Sequence, residues 1–211
     1  MTAPQPASTA AEPIVAGNVY DKYGTRNPVA RRLQAGFERG MAALLDLAGE
    51  PGSVLEVGCG EGHVTAKLAR RWPDARVVGS DLSPEIVALA RSLHPGLTFE
   101  TRTVYEADAA GERFDLVVAC EVFEHLERPA EALETLARVA RRHLFLSVPR
   151  EPLWRVLNLA RAKYVRDLGN TPGHVQHWST RAFLGLVRAR FDVVAVRTPL
   201  PWTQVLARCR A

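Results

Sequence analysis

Residues 53–65 read Ser-Val-Leu-Glu-Val-Gly-Cys-Gly-Glu-Gly-His-Val-Thr, and this stretch decides the fold. Its apolar start predicts a strand that is buried on both faces, and the residues after Gly62 begin a helical pattern. The three glycines between them can adopt positive φ angles and let a ligand approach the backbone. The start of the helix adds unpaired N–H groups, so the turn favours a polar or anionic ligand group. Ordinary strand–helix connections can also be rich in glycine, so further features are needed to distinguish a ligand-binding turn from such a connection.

Acidic residues lie near the carboxyl ends of three predicted strands. Glu56 lies within the first strand, where a buried carboxylate is costly unless it has a partner. Asp81 follows the apolar run 75–79, and an acid at this place binds ribose hydroxyls in dinucleotide-binding folds. Glu121 follows the apolar run 114–120. Because ligands of parallel α/β sheets bind at the carboxyl ends of the strands, these acids predict a ligand site there.

The alternation of strand-like and helix-like segments is typical of an α/β protein. The pattern predicts a doubly wound, mainly parallel seven-stranded Rossmann-like sheet with helices on both faces. A helix predicted over residues 129–142 connects the fourth strand to the fifth. The predicted strands are residues 54–57, 75–79, 97–101, 114–120, 144–148, 191–196 and 203–207.

The domain organisation follows from composition and from breaks in this alternation. Residues 1–17 are rich in Ala, Pro, Ser and Thr without periodicity, which predicts a disordered tail. Residues 18–211 are predicted to form a single domain, with a first helix that Asn27 caps. Residues 150–178 interrupt the alternation after the fifth strand with an extra helix and a loop. Because they follow a strand at the ligand end of the sheet, we predict a helical insertion that covers the substrate.

Composition excludes several classes of protein. The 211 residues are enough for one α/β domain with a sizeable core. The three cysteines lack a C-x-x-C spacing, which disfavours a zinc cluster or a disulfide framework. The start of the chain lacks the features of a secretory signal, and no apolar run is long enough to cross a bilayer. The prediction is a cytoplasmic protein without a transmembrane segment.

Three motifs in register carry a resemblance to a known family. They are Val54-Leu-Glu-Val-Gly-Cys-Gly-Glu-Gly62, Ser80-Asp-Leu-Ser-Pro84 and Phe114-Asp-Leu-Val-Val-Ala-Cys-Glu-Val-Phe-Glu-His-Leu126. In this order they resemble the class I S-adenosylmethionine-dependent methyltransferases. The third motif is most similar to the ubiquinone-biosynthesis O-methyltransferase type. The resemblance implies S-adenosylmethionine as the cofactor and one antiparallel strand near the end of the sheet.

The resemblance also assigns roles to individual residues. It implies that Glu56 orients the methionine end of the cofactor and that Asp81 binds the ribose hydroxyls. Thr103 stands where the family usually has an Asp beside the adenine ring, so only a backbone N–H of Val104 remains for the adenine. The cofactor-binding residues expected in this way are Glu56, Gly58, Cys59, Gly60, Asp81, Leu82, Val104 and Glu121.

The segment after the fourth strand holds the candidate catalytic residues. On a helical turn, Glu121 would share a face with both Glu124 and His125, which lie three and four positions later. This set would suit a divalent cation such as Mg²⁺ or Mn²⁺, and a hydrogen-bonded cluster without metal explains it equally well. His125 and Glu124 are the first catalytic candidates, and His177 in the covering loop is the next, beside His174.

The expected activity is methyl transfer to a small-molecule acceptor, most simply to an oxygen of a quinone-like, lipid-like or other secondary metabolite. An RNA methyltransferase is an alternative, but the 7% aromatic content offers few stacking residues, so nucleic acid is disfavoured as a partner. A non-catalytic module that binds S-adenosylmethionine is a second alternative. A dinucleotide-dependent oxidoreductase is disfavoured because the turn reads Gly-x-Gly-x-Gly.

Two further features leave alternatives open. The insertion carries Arg150, Arg155, Arg161, Lys163 and Arg166 beside apolar residues. This is either a solvated helix face or a surface for a phosphate, a carboxylate or a membrane, so peripheral membrane contact is compatible with the sequence. Tyr20 and Tyr23 either pack against the core or line the substrate entrance.

Overall fold

The structure is a computed structural model that describes residues 27–210. The predicted tail 1–17 and the residues Tyr20 and Tyr23 therefore lie outside the described residues. Within that range, one sheet of seven strands has the order β3-β2-β1-β4-β5-β7-β6. Its strands are β1 (Ser53–Val57), β2 (Arg76–Asp81), β3 (Thr98–Thr101), β4 (Phe114–Cys120), β5 (Ala140–Pro149), β6 (Phe191–Arg197) and β7 (Trp202–Cys209).

The strand directions confirm a mainly parallel sheet. Strands β1 to β5 pair in parallel, and β7 pairs antiparallel with both β5 and β6. One antiparallel strand near the end of the sheet was implied by the family resemblance. The continuous apolar run of β4 is explained by its place, because β4 lies in the middle of the sheet and is covered on both faces.

The described part of the chain has six α-helices, of which the first precedes β1 and the other five lie between strands. Asn27 caps the first of them as predicted, and Ser83 caps another, since both side chains accept hydrogen bonds from backbone N–H groups of the first turn. The helices are α1 (Pro28–Ala48), α2 (His63–Arg71), α3 (Pro84–Leu93), α4 (Pro129–Val139), α5 (Leu153–Ala160) and α6 (Thr180–Arg188).

The core has one layer on each face of the sheet. Val54, Leu116 and Phe145 face α1 and α2, whereas their strand neighbours Leu55 and Val117 face α4 and α6. Successive residues of a strand point to opposite faces, so both layers come from the same strands. The helices therefore cover both faces of the sheet, as predicted.

The boundary between α4 and β5 differs from the prediction. The helix ends at Val139 rather than at residue 142, and β5 begins at Ala140. Ala140 has an extended backbone and pairs with Phe114 at the start of β4. Pairing with β4 satisfies backbone groups that a longer helix would use, and periodicity alone does not reveal this competition.

The insertion after β5 contains α5 and an irregular segment. The amphipathic pattern predicts this helix over residues 152–163, but the helix ends at Ala160. The helix stops because Ala162 and Tyr164 adopt left-handed conformations, with φ angles of 52° and 51°. None of the helices that the structure describes is both long and apolar enough to cross a membrane.

Candidate active site

The glycine turn connects β1 to α2 at the carboxyl end of the sheet. Gly58 has a φ angle of 68°, which is a conformation that favours glycine. A Cβ atom at Gly58 would lie 2.5 Å from a methyl group of Val122, the second residue after β4. The turn therefore packs directly against the chain that leaves β4, and this brings the glycine motif and the Glu124–His125 segment to the same edge.

Asp81 organises the glycine turn from the end of β2. Its Oδ2 accepts a hydrogen bond from the backbone N–H of Gly60 at 3.0 Å, and its Oδ1 accepts one from the N–H of Ser83 at 3.1 Å. The residue is 7% exposed. A carboxylate oxygen has room for more than one donor, so Asp81 can hold the turn and still accept hydroxyl donors from a ligand.

Glu56 is a buried acid beneath this turn. It is 1% exposed, and its carboxylate accepts a hydrogen bond from the hydroxyl of Thr65 in α2. Burial raises the pKa of Glu56 to about 8, the hydrogen bond from Thr65 opposes this rise, and the negative charge of Asp81 adds to it. Without a cation nearby, Glu56 is therefore mostly protonated at neutral pH, and a cationic ligand group would favour its ionised form.

The raised pKa of Glu56 predicts how stability depends on pH. Between the ordinary pKa of 4.5 and about 8, the folded protein binds a proton that the unfolded chain has released, so the free energy of unfolding falls as pH rises. Glu56→Gln removes this titration. Its stability relative to the wild type should rise between pH 5 and pH 8.5, by on the order of a few kcal/mol. Calorimetric melting of the ligand-free proteins measures this difference.

Glu50→Gln is the control for that experiment, because Glu50 is an exposed acid just after α1. Its stability relative to the wild type should stay nearly constant over the same pH range. A constant difference for Glu56→Gln as well would mean that Glu56 is already ionised in the ligand-free protein.

The remaining expected cofactor residues lie around the same edge of the sheet. The N–H of Cys59 donates to the carbonyl oxygen of Ser80 at 2.9 Å, and Leu82 is exposed directly after Asp81. Burial raises the pKa of the Cys59 thiol far above its usual value, and the nearby carboxylates add to this rise, so Cys59 stays a neutral thiol. Cys59 is therefore not a nucleophile, and its expected contact with the cofactor stays a prediction.

The segment after β3 contains a carboxylate, that of Glu106, which the family resemblance did not indicate. Val104 is buried at the first position of a short 3₁₀ helix, Val104–Glu106. Thr103 precedes it, and its hydroxyl donates to the carboxylate of Glu106 at 2.9 Å. The carboxylate of Glu106 thus contacts the side chain of Thr103, at the position where the family usually has an Asp.

Glu121 does not share a face with Glu124 and His125, which corrects the expectation from helical spacing. Glu121 adopts a left-handed conformation with a φ angle of 57°, and the short 3₁₀ helix begins only at Phe123. The side chain of Glu121 accepts a hydrogen bond from the indole N–H of Trp202 in β7. The left-handed residue breaks the helical spacing on which the prediction depended.

The structure instead brings Glu124 and His125 together with His174 of the insertion. In the part of the chain that the structure describes, these three side chains form the one group of potential metal ligands whose donor atoms all lie within 4.8 Å of one another. Glu124 is 2% exposed and His174 is 9% exposed. The two imidazole rings meet edge to face, with centroids 4.9 Å apart.

The hydrogen bond of His125 determines its neutral tautomer. Its Nδ1 lies 2.8 Å from the carbonyl oxygen of Gly173. A carbonyl oxygen can only accept, so Nδ1 donates its hydrogen. The Nε2 atom of the neutral ring then carries the lone pair, as a general base or a metal ligand requires.

The second half of the insertion is tied to the 3₁₀ helix Phe123–His125. The N–H groups of Val175 and Gln176 both donate to the carbonyl oxygen of Glu124 at 2.9 Å, and the indole N–H of Trp178 donates to that of Phe123 at 3.3 Å. These bonds place His174 against His125. His177 lies in the same segment but is exposed and is not a member of the three-residue group.

Sequence reasoning missed three neighbours of the candidate residues. The sequence could have indicated the partner of Glu56, because Thr65 lies only nine positions later, in the first turn of α2, and carries a hydroxyl donor. His174 was noted in the sequence, but its pairing with His125 depends on the path of the insertion. No local pattern indicates that Trp202 would reach Glu121, which lies 81 positions earlier.

Curated relatives match part of the chain. The ubiquinone biosynthesis O-methyltransferase of Hahella chejuensis is 39% identical over 120 residues, which are 53% of this chain and 50% of that protein. The trans-aconitate 2-methyltransferase of Rhodopseudomonas palustris is 39% identical over 93 residues, which are 40% of this chain and 36% of that protein. The chain thus spans about half the length, or less, of these curated relatives.

Solved structures match almost the whole chain. The magnesium protoporphyrin IX methyltransferase of Synechocystis PCC 6803, solved with bound SAH, has a TM-score of 0.65 and 22% identity, and the match covers 89% of this chain and 90% of that chain. The N-methyltransferase NodS of Bradyrhizobium japonicum, also with SAH, has a TM-score of 0.63 and 18% identity over 92% of this chain and 94% of that chain. At such identities the likeness shows the fold.

A family model described as a methyltransferase domain matches residues 29–195. This range runs from the start of α1 into β6 and includes the glycine turn, Asp81 and the Glu124–His125 segment. The match covers most of the chain, and it agrees with the fold and with the motifs of the sequence. The chain therefore belongs to the methyltransferase domain family.

Proposed function

We propose that this protein transfers a methyl group from S-adenosylmethionine to an oxygen of a small-molecule acceptor, such as a quinone-like, lipid-like or other secondary metabolite. The observation that carries the proposal is the pair of buried acids, Glu56 and Asp81, around a glycine turn at the carboxyl ends of β1 and β2. The name of the curated relative from Hahella chejuensis, ubiquinone biosynthesis O-methyltransferase, supports an oxygen acceptor. Residues 18–211 would act as one methyltransferase domain, with residues 150–178 as the substrate cover.

The proposed cofactor contacts follow from charge and hydrogen bonding. The methionine end of S-adenosylmethionine carries an ammonium group, which suits the carboxylate of Glu56. The ribose presents two hydroxyl donors, which suit Asp81. The exposed side chain of Leu82 and the backbone of Val104 would flank the adenosine. The positive charge of the cofactor would stabilise the ionised form of Glu56.

Methyl transfer to oxygen is an in-line displacement. The acceptor oxygen forms a bond to the methyl carbon while the carbon–sulfur bond breaks, and the bonding pair stays on sulfur as a neutral thioether. The acceptor hydroxyl must also lose its proton. We assign this proton to Nε2 of His125, whose other nitrogen is held by Gly173. Glu124 is close enough to favour the resulting imidazolium.

A divalent metal ion fits Glu124, His125 and His174 better than it fits the trio expected from the sequence. Two imidazole nitrogens and one carboxylate suit Mn²⁺ or another ion that accepts nitrogen ligands, whereas Mg²⁺ prefers oxygen. The hydrogen bond from His125 to Gly173 is the kind of second contact that orients a metal ligand. When bound, such an ion would occupy Nε2 of His125, and it would take over the role of the base by lowering the pKa of an acceptor hydroxyl.

The compartment remains part of the proposal. We propose the cytoplasm, because Cys59, Cys120 and Cys209 are odd in number and lack the spacing of a disulfide framework.

The first test is binding of S-adenosylmethionine and NAD, measured by calorimetry on the wild type. S-adenosylmethionine should bind at least about tenfold more tightly, because the site has a carboxylate for its ammonium group. Labelled S-adenosylmethionine is then incubated with a metabolite extract and with purified RNA, with and without chelator. We expect the labelled methyl group to appear in small molecules of the extract.

The other outcomes of this screen are distinct. Label in RNA would make the protein an RNA methyltransferase. Tight binding without label in either pool would indicate a binding module. Tighter binding of NAD would contradict S-adenosylmethionine as the cofactor.

A further inference from the structure

A groove runs between the first half of α1 and the loop that joins β6 to β7. Val29 and Leu33 line it from α1, and Pro199 and Leu200 line it from the loop. Val29 and Leu200 are 64% and 54% exposed, so each wall presents a large aliphatic side chain to the groove. The volume of the groove is about 780 Å³, which is within the range of small-molecule sites. Apolar walls of this kind mark a place where another molecule binds.

The same side of α1 carries two arginines. Arg32 and Arg39 also line the groove, and they are about two turns and about 10 Å apart along the helix. Within the described residues, neither guanidinium forms an ion pair. Glu38, the acid next to Arg39, instead accepts hydrogen bonds from Gln34 and Lys67. The groove therefore combines apolar walls with two positive charges, and this combination attracts an anionic ligand.

Gly36 lies between the two arginines and keeps this part of the groove open. Among the described residues, a Cβ atom added at Gly36 would meet only Cβ of Pro199, at an ordinary contact distance of 3.9 Å. A Cβ atom at Gly40, one turn later, would collide with the side-chain oxygen of Gln204. Packing therefore requires a glycine at residue 40 but not at residue 36. A glycine inside a helix costs stability, and at residue 36 its missing side chain leaves space for a ligand.

The loop wall of the groove lies at the carboxyl edge of the sheet. The carbonyl oxygen of Pro199 accepts a hydrogen bond from the N–H of Trp202 at 2.6 Å, and Trp202 pairs with Pro149 at the end of β5. The groove is therefore on the same edge as the candidate active site. None of the residues that line it belongs to the proposed cofactor site or to the Glu124–His125–His174 group.

We propose that this groove binds a small organic acid with an apolar body. The apolar walls contact the body of the ligand, and the guanidinium groups of Arg32 and Arg39 bind its carboxylate through charge-assisted hydrogen bonds. A second copy of this chain fits less well, because a symmetric contact would bring the same arginines together. This inference goes beyond the proposed reaction, since binding in the groove requires neither the cofactor nor methyl transfer.

The test is calorimetric titration of the full chain with 6-phenylhexanoate and with its neutral amide, in the absence of S-adenosylmethionine. The acid should bind with a Kd of about 1 mM or lower, and the amide should bind at least about tenfold more weakly. Arg32→Gln with Arg39→Gln should weaken binding of the acid by about tenfold and hardly change binding of the amide. Arg31→Gln is the matched control, because Arg31 is an exposed arginine of the same helix that does not line the groove.

Gly36→Leu tests the space in the groove. A leucine side chain at this position should fill the groove and weaken binding of the acid by about tenfold or more, because it removes the apolar contacts of the ligand. The melting temperature should not fall, because leucine is a better helix former than glycine. Gly185→Leu is the matched control, since Gly185 is an exposed glycine of α6 with open space around it. It should bind the acid like the wild type.

Three results would overturn the proposal. They are no binding of the acid at several times about 1 mM, equal binding of acid and amide by the wild type, and equal loss of binding in the groove variants and their controls. A smaller solution mass of Gly36→Leu than of the wild type would also overturn it and would assign the groove to self-association. Calorimetry of S-adenosylmethionine binding on the same samples reports separately on the proposed function.

Discussion

His125→Ala should lower turnover by about 10²-fold or more, which is the usual scale for loss of general-base assistance. The affinity for S-adenosylmethionine should stay nearly unchanged, because the proposed cofactor anchors lie on β1 and β2 whereas His125 follows β4. Initial rates with the acceptor found in the screen measure the first effect, and calorimetry measures the second.

His125→Asn separates chemistry from packing in this experiment. The asparagine amide can still donate to the carbonyl oxygen of Gly173, but it lacks the nitrogen that corresponds to Nε2. It should be as slow as the alanine variant. His143→Ala is the control, since His143 is a half-buried histidine near the start of β5, at the opposite end of the sheet. Recovery of activity in His125→Asn would reduce His125 to a structural residue.

The same assay distinguishes the two histidines of the insertion and tests the metal. His174→Ala should cost more turnover than His177→Ala, because His174 belongs to the group with Glu124 and His125. If the group holds a metal ion, chelation should abolish activity, Mn²⁺ should restore it, and Glu124→Ala should match His174→Ala. Full activity after exhaustive chelation would exclude an essential metal and leave His125 as the base.

Asp81→Ala should weaken binding of S-adenosylmethionine by roughly 1.5 to 3 kcal/mol, or about 10- to 150-fold in Kd. Two causes add here. The ribose hydroxyls would lose a charged acceptor, and the N–H groups of Gly60 and Ser83 would lose the carboxylate that shapes the turn. Calorimetric titration of the folded variant gives the change in affinity, and its melting temperature shows how much of the turn's stability is lost.

Asp115→Ala is the matched control for that titration. Asp115 also accepts a hydrogen bond from a glycine N–H, that of Gly52 at 2.9 Å, but at the amino ends of β1 and β4. It should lose stability without losing affinity for S-adenosylmethionine. Unchanged affinity in a folded Asp81→Ala protein would remove Asp81 from the site, and an equal loss in Asp115→Ala would mean that affinity simply follows stability.

Short-range patterns were sufficient for most of the fold. The seven strand segments along the chain and the cap residue Asn27 depend on residue types and periodicity among near neighbours in the chain. The predicted end of α4 at residue 142 was wrong, because pairing of Ala140 with β4 competes with extension of the helix. That competition involves a strand more than 20 residues away and leaves no local signal.

The sequence by itself determined the α/β class, the glycine turn and the acids Glu56 and Asp81 at the carboxyl edge, because these features depend on strand order and on residue types next to the turn. Only the tertiary structure decided which side chains meet at that edge. Glu121 has a left-handed conformation, and its side chain accepts a hydrogen bond from Trp202. Hydrogen bonds from the insertion to the carbonyl oxygen of Glu124 place His174, rather than Glu121, in the group with Glu124 and His125. Such contacts join residues about 50 or more positions apart, and they depend on the path of a long connection, which hydrophobic periodicity does not encode.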